Sequence, residues 1–388
     1  MIRRAPLLLL AALLSACTSP EPEPLVVWSD VGEMAFVIER YNHIHEREVR
    51  FVPIDNLTQA LTQRSPEADL VVGRWVNTPL VNRLILPYRS TLPSESYQAV
   101  DSRLLEVSGP WVPLSFNLPA LYTRVETPLP GDPLRSSLAD MGTLYGETGA
   151  TLHFVPSLTP DTMYAVQRSL GFSVSVSNGE PLIRGLDSAM ATVREWQNTY
   201  NGGLAAESAY IQRLLYERPE RLLETGRTSV AYAASNRLLD WDFTGRRRYH
   251  FRWLASPDGT IHANEDVVYA GVPESSTRRE AATQLLRFLL DPRAQQDLMT
   301  AKLAARVDSF GIYDGFSTLA EVNRFLAGEI IPDLAGRVPA PGSIVFPATL
   351  PRYWNEARTA VVAPFMIQSP DPEGLGSGLA RWYNQRGD

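Results

Sequence analysis

Lysine and cysteine are almost absent from this chain of 388 residues, although lysine and arginine together number 36. Lys302 is the only lysine and no Gly-rich motif surrounds it, which excludes a P-loop for nucleotide phosphates. Cys17 is the only cysteine, so no disulfide can form within the chain. The formal net charge is −7, which argues against nucleic acid as a partner, because that binding depends on basic patches.

The usual motifs of hydrolases and metal centres are also missing. The sequence has no G-x-S-x-G turn and no H-E-x-x-H motif. Its five histidines show no metal-ligand spacing apart from His43 and His45, which are expected at the surface. We therefore expect no catalytic activity, no metal and no cofactor. Two distant carboxylates could still meet in space, which leaves a secreted glycoside hydrolase as an alternative.

The N-terminus has the pattern of a bacterial secretory signal. Two arginines precede the apolar run 7–14, which ends in Leu-Ser-Ala-Cys with Cys17 at the position that a lipobox modifies. The apolar run is shorter than the roughly 20 residues that span a bilayer. We predict a signal peptide over 1–16 and a lipid on Cys17, in an exported lipoprotein that faces the periplasm or the cell exterior. Residues 17–24, rich in Pro and Glu, are predicted to form a solvated tether.

The remaining chain has the composition of a globular protein, with 44% hydrophobic and 20% charged residues. About 370 residues exceed one compact core, which predicts two lobes. Apolar runs at 25–28, 49–54 and 69–73 alternate with helical patterns, including an amphipathic helix over 34–41. This alternation is typical of an α/β fold with a parallel sheet that is covered on both faces. Further strands are predicted over 151–155 and 229–233.

Polar and aromatic side chains follow the predicted strands at the point where each strand ends. Ligand-binding groups gather at the carboxyl ends of strands in parallel sheets. Asp30 and Glu33 also fit a capping box at the start of the first helix, so Asp30 is expected to cap that helix as well. The strand-end residues are Trp28, Ser29, Asp30, Arg74 and Trp75.

Several segments, taken in order, resemble the extracellular solute-binding proteins of ABC importers, in the branch that includes maltose-binding protein. The segment ANEDVVYAGVP (263–273), followed by a helix and FLLDPRAQ (288–295), carries the resemblance most clearly. The strand ending in Trp28 and the segments 69–75, 113–122 and 353–361 are similar to the same family. The lipobox in front of them fits the same family.

The resemblance implies an α/β, two-lobed periplasmic-binding-protein fold of type II, with hinge-linked lobes around a central cleft. It implies a monomeric receptor that delivers a small solute, above all a sugar or oligosaccharide, to the membrane subunits of an ABC permease. A lipoprotein sensor that docks on a membrane receptor would have the same fold and is a further alternative. The implied crossings lie near 115–119, 268–271 and 311–317, with lobe one over 25–116 and 270–314 and lobe two over 117–269 and 315–388.

The resemblance also implies which side chains of lobe two contact the solute. They are Thr159, Asp161, Tyr164, Ser235, Asn236, Glu265 and Trp354, with Asn264 beside Glu265. Aromatic faces suit the apolar surfaces of sugar rings, and planar polar groups suit their hydroxyls. When the lobes close, Arg74 and Trp75 are expected to face these side chains, with the Trp354 ring stacked on a sugar.

Overall fold

A computed structural model describes residues 23–45, 48–63, 67–126, 129–145, 152–177, 180–214, 217–237, 249–369 and 373–386. The predicted signal peptide, Cys17 and most of the predicted tether lie outside these ranges. No helix in the described ranges is both long enough and apolar enough to cross a membrane.

Strands and helices alternate in the first part of the chain, as predicted. The strands are β1 (Leu25–Ser29), β2 (Val49–Pro53), β3 (Leu70–Gly73), β4 (Val112–Phe116), β5 (Pro119–Arg124), β6 (Arg135–Ser136), β7 (Ser173–Ser177), β8 (Glu180–Arg184), β9 (Val230–Ala234), β10 (Tyr249–Leu254), β11 (Ile261–His262), β12 (Val268–Gly271), β13 (Phe316–Ser317) and β14 (Ile344–Val345). The α-helices are α1 (Met34–His45), α2 (Leu57–Gln63), α3 (Pro79–Asn82), α4 (Tyr88–Thr91), α5 (Ser102–Val107), α6 (Leu138–Gly142), α7 (Pro160–Ser169), α8 (Leu186–Tyr200), α9 (Leu204–Arg213), α10 (Pro219–Glu224), α11 (Arg279–Leu290), α12 (Pro292–Ala305), α13 (Ala320–Phe325), α14 (Trp354–Ala357), α15 (Ala363–Gln368) and α16 (Leu375–Gln385).

Short helices of other kinds complete the described chain. Two π-helical turns span Leu326–Ile330 and Arg358–Val362. The 3₁₀ turns are Ser94–Ser96, Ser235–Arg237, Pro332–Leu334 and Pro341–Ser343.

The first sheet has six strands among the described residues, in the order β13-β4-β12-β3-β1-β2. β1 lies parallel to both β2 and β3, which confirms the predicted parallel start. β12 is antiparallel to β3 and β4, and β13 is antiparallel to β4, so the sheet is mixed and not wholly parallel. The chain comes from the second lobe and enters the first sheet beside Gly73, the last residue of β3. β12 therefore runs antiparallel to β3.

The second sheet has the order β6-β10-β5-β9, and β5 is antiparallel to both β9 and β10. The strand predicted over 229–233 is found as β9. The strand predicted over 151–155 is wrong, because residues 152–155 form no strand and Thr151 lies outside the described residues. The apolar side chains of this segment are buried in a loop, and the carbonyl of His153 accepts the N–H groups of Ser229 and Val230. An apolar run alone does not distinguish a buried loop from a strand.

Two main hydrophobic cores follow the two sheets. The larger core surrounds the first sheet and also takes in one face of the second sheet, where Trp253 contacts Phe316. The second core packs α7, α8 and α14 to α16 on the other face of the second sheet. Residues 316–346 contribute to the larger core and Leu350 is in the second core. Because the larger core takes in parts of both sheets, the lobe boundaries stay predictions.

Candidate functional site between the two lobes

A cavity of about 450 Å³ lies where the carboxyl ends of first-sheet strands face the second sheet. Several predicted contacts line it: Trp75, Thr159, Asp161, Tyr164, Asn236, Asn264 and Glu265. Further polar or aromatic lining residues were not predicted: Arg168, Glu220, Tyr232, Arg237, His262, Asp266 and Arg358. The cavity volume is within the range that small-molecule sites occupy.

Asp30 supports the lobe-one wall through the backbone of Arg74. β3 ends at Gly73, where an added Cβ would lie 2.1 Å from Leu57 Cδ1 and 2.8 Å from Asp30 Oδ1. The absent side chain leaves room for the Asp30 carboxylate, which accepts the Arg74 N–H at 3.1 and 3.3 Å. Burial raises the pKa of Asp30 to about 6, although both bonds to Arg74 and its positive charge act in the opposite direction. Asp30 therefore joins two strand ends instead of capping α1 as predicted.

Asp314, which the sequence did not suggest, connects the two lobes. Its Oδ2 accepts hydrogen bonds from Arg74 Nη2 at 2.9 Å and from Asn236 Nδ2 at 3.0 Å. Arg74 follows β3 in lobe one, and Asn236 follows β9 in lobe two. Burial raises the pKa of Asp314, opposed by the bond from Asn236 and the charge of Arg74. At the rim of the cleft, Asn56 of lobe one donates to Glu356 of lobe two at 2.8 Å.

Trp75 presents its ring to the cavity from a strained backbone. Its φ is +61°, a left-handed conformation that is rare for a bulky residue, and its carbonyl accepts the Thr58 hydroxyl at 3.1 Å. The Arg358 guanidinium lies 5.3 Å from the Trp75 ring centroid and 5.1 Å from that of Tyr164, within cation–π distance of both. An Asp161 carboxylate oxygen lies 3.4 Å from Arg358 Nη2. Arg358 therefore connects the wall of lobe two with the aromatic residue of lobe one.

Glu265 is buried on the lobe-two side, where three side chains surround its carboxylate. It accepts hydrogen bonds from the Tyr164 hydroxyl at 2.7 Å and from Trp354 Nε1 at 2.8 Å, and Arg168 Nη1 lies 3.8 Å away. Trp354 is only 2% exposed and belongs to the second core. Trp354 therefore does not line the cavity, contrary to the expectation that its ring stacks on a sugar. Its indole N–H orients Glu265, and its ring supports the wall from behind.

Two carboxylate oxygens at the cavity have spare capacity to accept hydrogen bonds. Asp266 Oδ2 accepts from Asn117 Nδ2 at 3.1 Å, whereas Asp266 Oδ1 and Glu220 Oε2 are buried without a partner among the described residues. Burial raises the pKa of Asp266, and the charge of Arg74 acts against that rise. Burial and the nearby Arg168 charge lower the pKa of His262 to about 4, so this ring is neutral at pH 7. The site thus offers acceptors to a ligand that donates hydrogen bonds.

A larger, more apolar cavity of about 1000 Å³ lies beside Phe116, Leu118 and Phe316, where the chain crosses between the lobes. Its lining includes many small and apolar residues of the 335–346 segment, and its edge is open. Among the described residues, fewer polar side chains line this larger cavity than line the cleft cavity. Within those residues, no group of three or more His, Cys, Asp or Glu side chains could hold a metal ion.

Solved structures with the same architecture identify the fold. The GacH receptor of Streptomyces glaucescens, solved unliganded and with acarbose, superposes with a TM-score of 0.62 at 12% identity over 93% of this chain and 97% of its own. The chain has the two-lobed fold of maltose-binding-protein-like solute-binding proteins. A Thermus thermophilus maltotriose-binding protein gives a TM-score of 0.56 at 13% identity, covering 92% of this chain and 100% of its own.

A third similar structure, CpMnBP1 with mannotriose bound, gives a TM-score of 0.62 at 13% identity over 92% of this chain and 98% of its own. No protein-family model matches the chain, and no curated protein matches its sequence.

Within this solute-binding fold, some predicted contacts lie behind the cavity wall. Ser29 is buried and accepts the Val31 N–H, and Trp28 packs partly buried against the larger core. Ser235 is buried, donates to Asn117 at 2.8 Å and accepts the Leu118 N–H at 3.0 Å, which fixes the first crossing. These three residues support the hinge and the strand ends without lining the cavity.

Proposed function

We propose that this chain is a non-catalytic receptor that binds a small sugar or oligosaccharide in the cleft cavity and delivers it to an ABC-type import permease. The observation that carries the proposal is one cavity that combines the Trp75 ring with two carboxylate oxygens, of Asp266 and Glu220, that have no hydrogen-bond partner in the part of the chain that the structure describes. A sugar has apolar ring faces and hydroxyls that donate hydrogen bonds, so it matches both features. Structures of the same fold hold acarbose, mannotriose and maltotriose, which supports a carbohydrate ligand.

The proposal includes export and a lipid anchor. The pattern over 1–17 supports cleavage before Cys17 and acylation of its thiol, with a short Pro- and Glu-rich tether to β1. The receptor is then a monomer held at the membrane, close to its permease. Ligand binding acts by favouring the closed arrangement of the lobes, which the permease distinguishes from the open one.

Calorimetric titration of the chain lacking residues 1–22 tests the ligand class, with maltotriose, mannotriose, single sugars and amino acids as probes. We expect binding of at least one sugar and compaction of the protein in small-angle scattering. Trp75→Ala should weaken that binding by roughly 5–150-fold, the range for losing a contact worth about 1–3 kcal/mol. Trp382→Ala, the same change on a helix away from the cavity, should leave the affinity unchanged.

Other results would replace the proposal. Binding of amino acids and of no sugar would show that the receptor takes amino acids. Hydrolysis of a bound oligosaccharide would favour a glycoside hydrolase. A bound sugar that is never passed to a reconstituted permease would favour the sensor alternative.

A further inference from the structure

The only lysine of the chain is buried behind the cleft and paired with Glu33. Lys302 Nζ lies 2.8 Å from Glu33 Oε2 and donates to the Gly311 carbonyl at 2.8 Å. The two side chains are 4% and 2% exposed. An ammonium is a compact point charge, whereas a guanidinium is a wide planar fork. In a chain that otherwise uses arginine, this position therefore holds the cation that fits between one carboxylate and one carbonyl.

Glu33 uses its remaining capacity to hold the turn that follows. Its Oε1 accepts the Tyr313 N–H at 3.0 Å, and its Oε2 accepts the Asp314 N–H at 3.2 Å. Tyr313 and Asp314 have φ values of +51° and +60°, both in the left-handed region that residues with side chains rarely adopt. Two successive left-handed residues need a partner for their N–H groups, and the buried carboxylate supplies it.

This turn presents the Asp314 side chain to both lobes. The Asp314 carboxylate receives Arg74 at 2.9 Å and Asn236 at 3.0 Å, and the Asp314 carbonyl accepts from Asn117 Nδ2 at 3.1 Å. Asn117 lies in the first crossing and Asn236 in lobe two. This contact between the lobes thus depends on the Lys302–Glu33 pair, which does not line the cavity.

We propose that Lys302 and Glu33 are positioning residues for lobe closure, acting through the Tyr313–Asp314 turn. When the pair is intact, the Asp314 carboxylate accepts hydrogen bonds from Arg74 and Asn236 at the same time. When the pair is broken, the turn relaxes, the bond to Asn236 is lost, and the closed arrangement becomes less populated. The inference deepens the proposed function, but closure can be measured with no ligand added, so the two can fail separately.

Distances between spin labels on the two lobes test the inference directly. Cys17 is the only cysteine, so Cys17→Ser removes the background, and Glu95→Cys and Glu195→Cys place labels on exposed positions of lobe one and lobe two. Lys302→Met should shift the distance distribution towards longer distances. Arg293→Met, which removes an exposed cation from the same helix, α12, should leave the distribution unchanged.

Combination with Asp314→Ala separates positioning from a general loss of structure. If Lys302 acts through Asp314, Lys302→Met should cause no further shift in the Asp314→Ala background, although it still lowers the melting temperature. Equal shifts with and without Asp314 would overturn the inference. If Lys302→Met alone does not fold, Lys302→Met with Glu33→Gln avoids the unpaired buried charge and should give the same shift.

Affinity gives a second readout once a sugar ligand is found. Lys302→Met should weaken its binding by roughly 5–150-fold, the range typical of couplings between separate sites. An unchanged affinity together with unchanged label distances would refute the inference while leaving the proposed function standing. Failure of every sugar to bind, with the label shift present, would contradict the proposed function and leave the inference standing.

Discussion

Buried acids around Arg74 are the most unusual groups at the level of single residues. Asp30, Asp266 and Asp314 all have a pKa that burial raises, and the charge of Arg74 opposes that rise at each of them. A carboxylate that leaves water costs free energy unless donors compensate it. The Arg74 guanidinium offsets part of this cost for all three carboxylates, so Arg74 stabilises the buried acids beside the cavity.

Asp30 should give stability a pH dependence of defined sign. Its pKa is about 6 in the folded chain against an ordinary 3.8, so between those values the folded state binds more protons than the unfolded state. The contribution of Asp30 to the free energy of unfolding therefore falls as pH rises through that window. Asp30→Asn removes this dependence. The free energy of unfolding of the variant minus that of the parent should therefore rise from about pH 4 to about pH 6 and then level off.

Urea unfolding at a series of pH values measures this difference. Asp258→Asn is a suitable control because Asp258 lies in an exposed turn and its pKa is lowered instead, chiefly by the Thr260 N–H. A difference between parent and Asp30→Asn that is constant with pH would contradict the burial of the Asp30 charge.

The strand-end rule predicted the place of the cavity better than its lining, because three-dimensional convergence decides which side chains reach it. Trp75 lies at the cavity because strand ends gather there, as the topology requires. Arg358 and Asp266 reach the same cavity from segments far apart in sequence, and no local pattern signals that. Trp354 was assigned by family position, but only the packed structure shows that its N–H needs Glu265 as a partner.

At the level of elements, local periodicity predicted helices and strands well and backbone irregularities poorly. α1 buries Met34, Val37, Ile38 and Tyr41, as the 3.6-residue pattern indicates. The π-helical turn that begins at Arg358 could not be predicted from such a pattern. Turns of this kind are rare and occur often at functional sites. Here the turn starts at the side chain that reaches Trp75.

The turn that carries Asp314 should be intolerant of a side chain at Gly311. Its φ is +56°, and an added Cβ would lie 2.1 Å from the Gly315 carbonyl oxygen, which is backbone and cannot rotate away. Gly311→Ala should therefore lower the free energy of unfolding by more than about 2 kcal/mol.

Gly328→Ala is the matched control, because nothing lies within 4 Å of a Cβ at that helical position. It should change stability by no more than about 1 kcal/mol, and towards greater stability. Chemical denaturation compares the two variants with the parent, and equal midpoints for both would contradict the close approach at Gly311.

At the scale of the whole molecule, the order of segments along the chain predicted the two-lobed fold, whereas the lobe boundaries stay predictions. Alternating strands and helices restrict the topology strongly, and the segment order matched one architecture. Residues 316–346 pack into the larger core, which takes in parts of both sheets and so does not assign them to one lobe. Buried side chains there have the same apolar character in either lobe, so composition could not assign them.

The N-terminal pattern gives a prediction about the location of the whole molecule. Cys17→Ser should leave the precursor uncut and without lipid, because acylation needs the thiol. Metabolic labelling with palmitate and detergent partitioning measure this, and Ser19→Ala serves as a control that keeps the thiol. Lipid incorporation that persists in Cys17→Ser would contradict the lipobox, and the described fold from β1 onward should be the same in both variants.

The position of β12 within the first sheet has a consequence for biosynthesis. β12 lies between β3 and β4 but is contributed by residues 268–271, and the second core needs residues as late as Leu379. A ribosome that has made the first two-thirds of the chain has therefore not yet made β12 and β13 of the first sheet, and neither core is complete. The first sheet and both cores therefore depend on contacts with residues that are made late, and such long-range contacts form slowly. For a protein that we propose to be exported, this topology delays completion of the fold and so favours passage of an unfinished chain through a translocation channel.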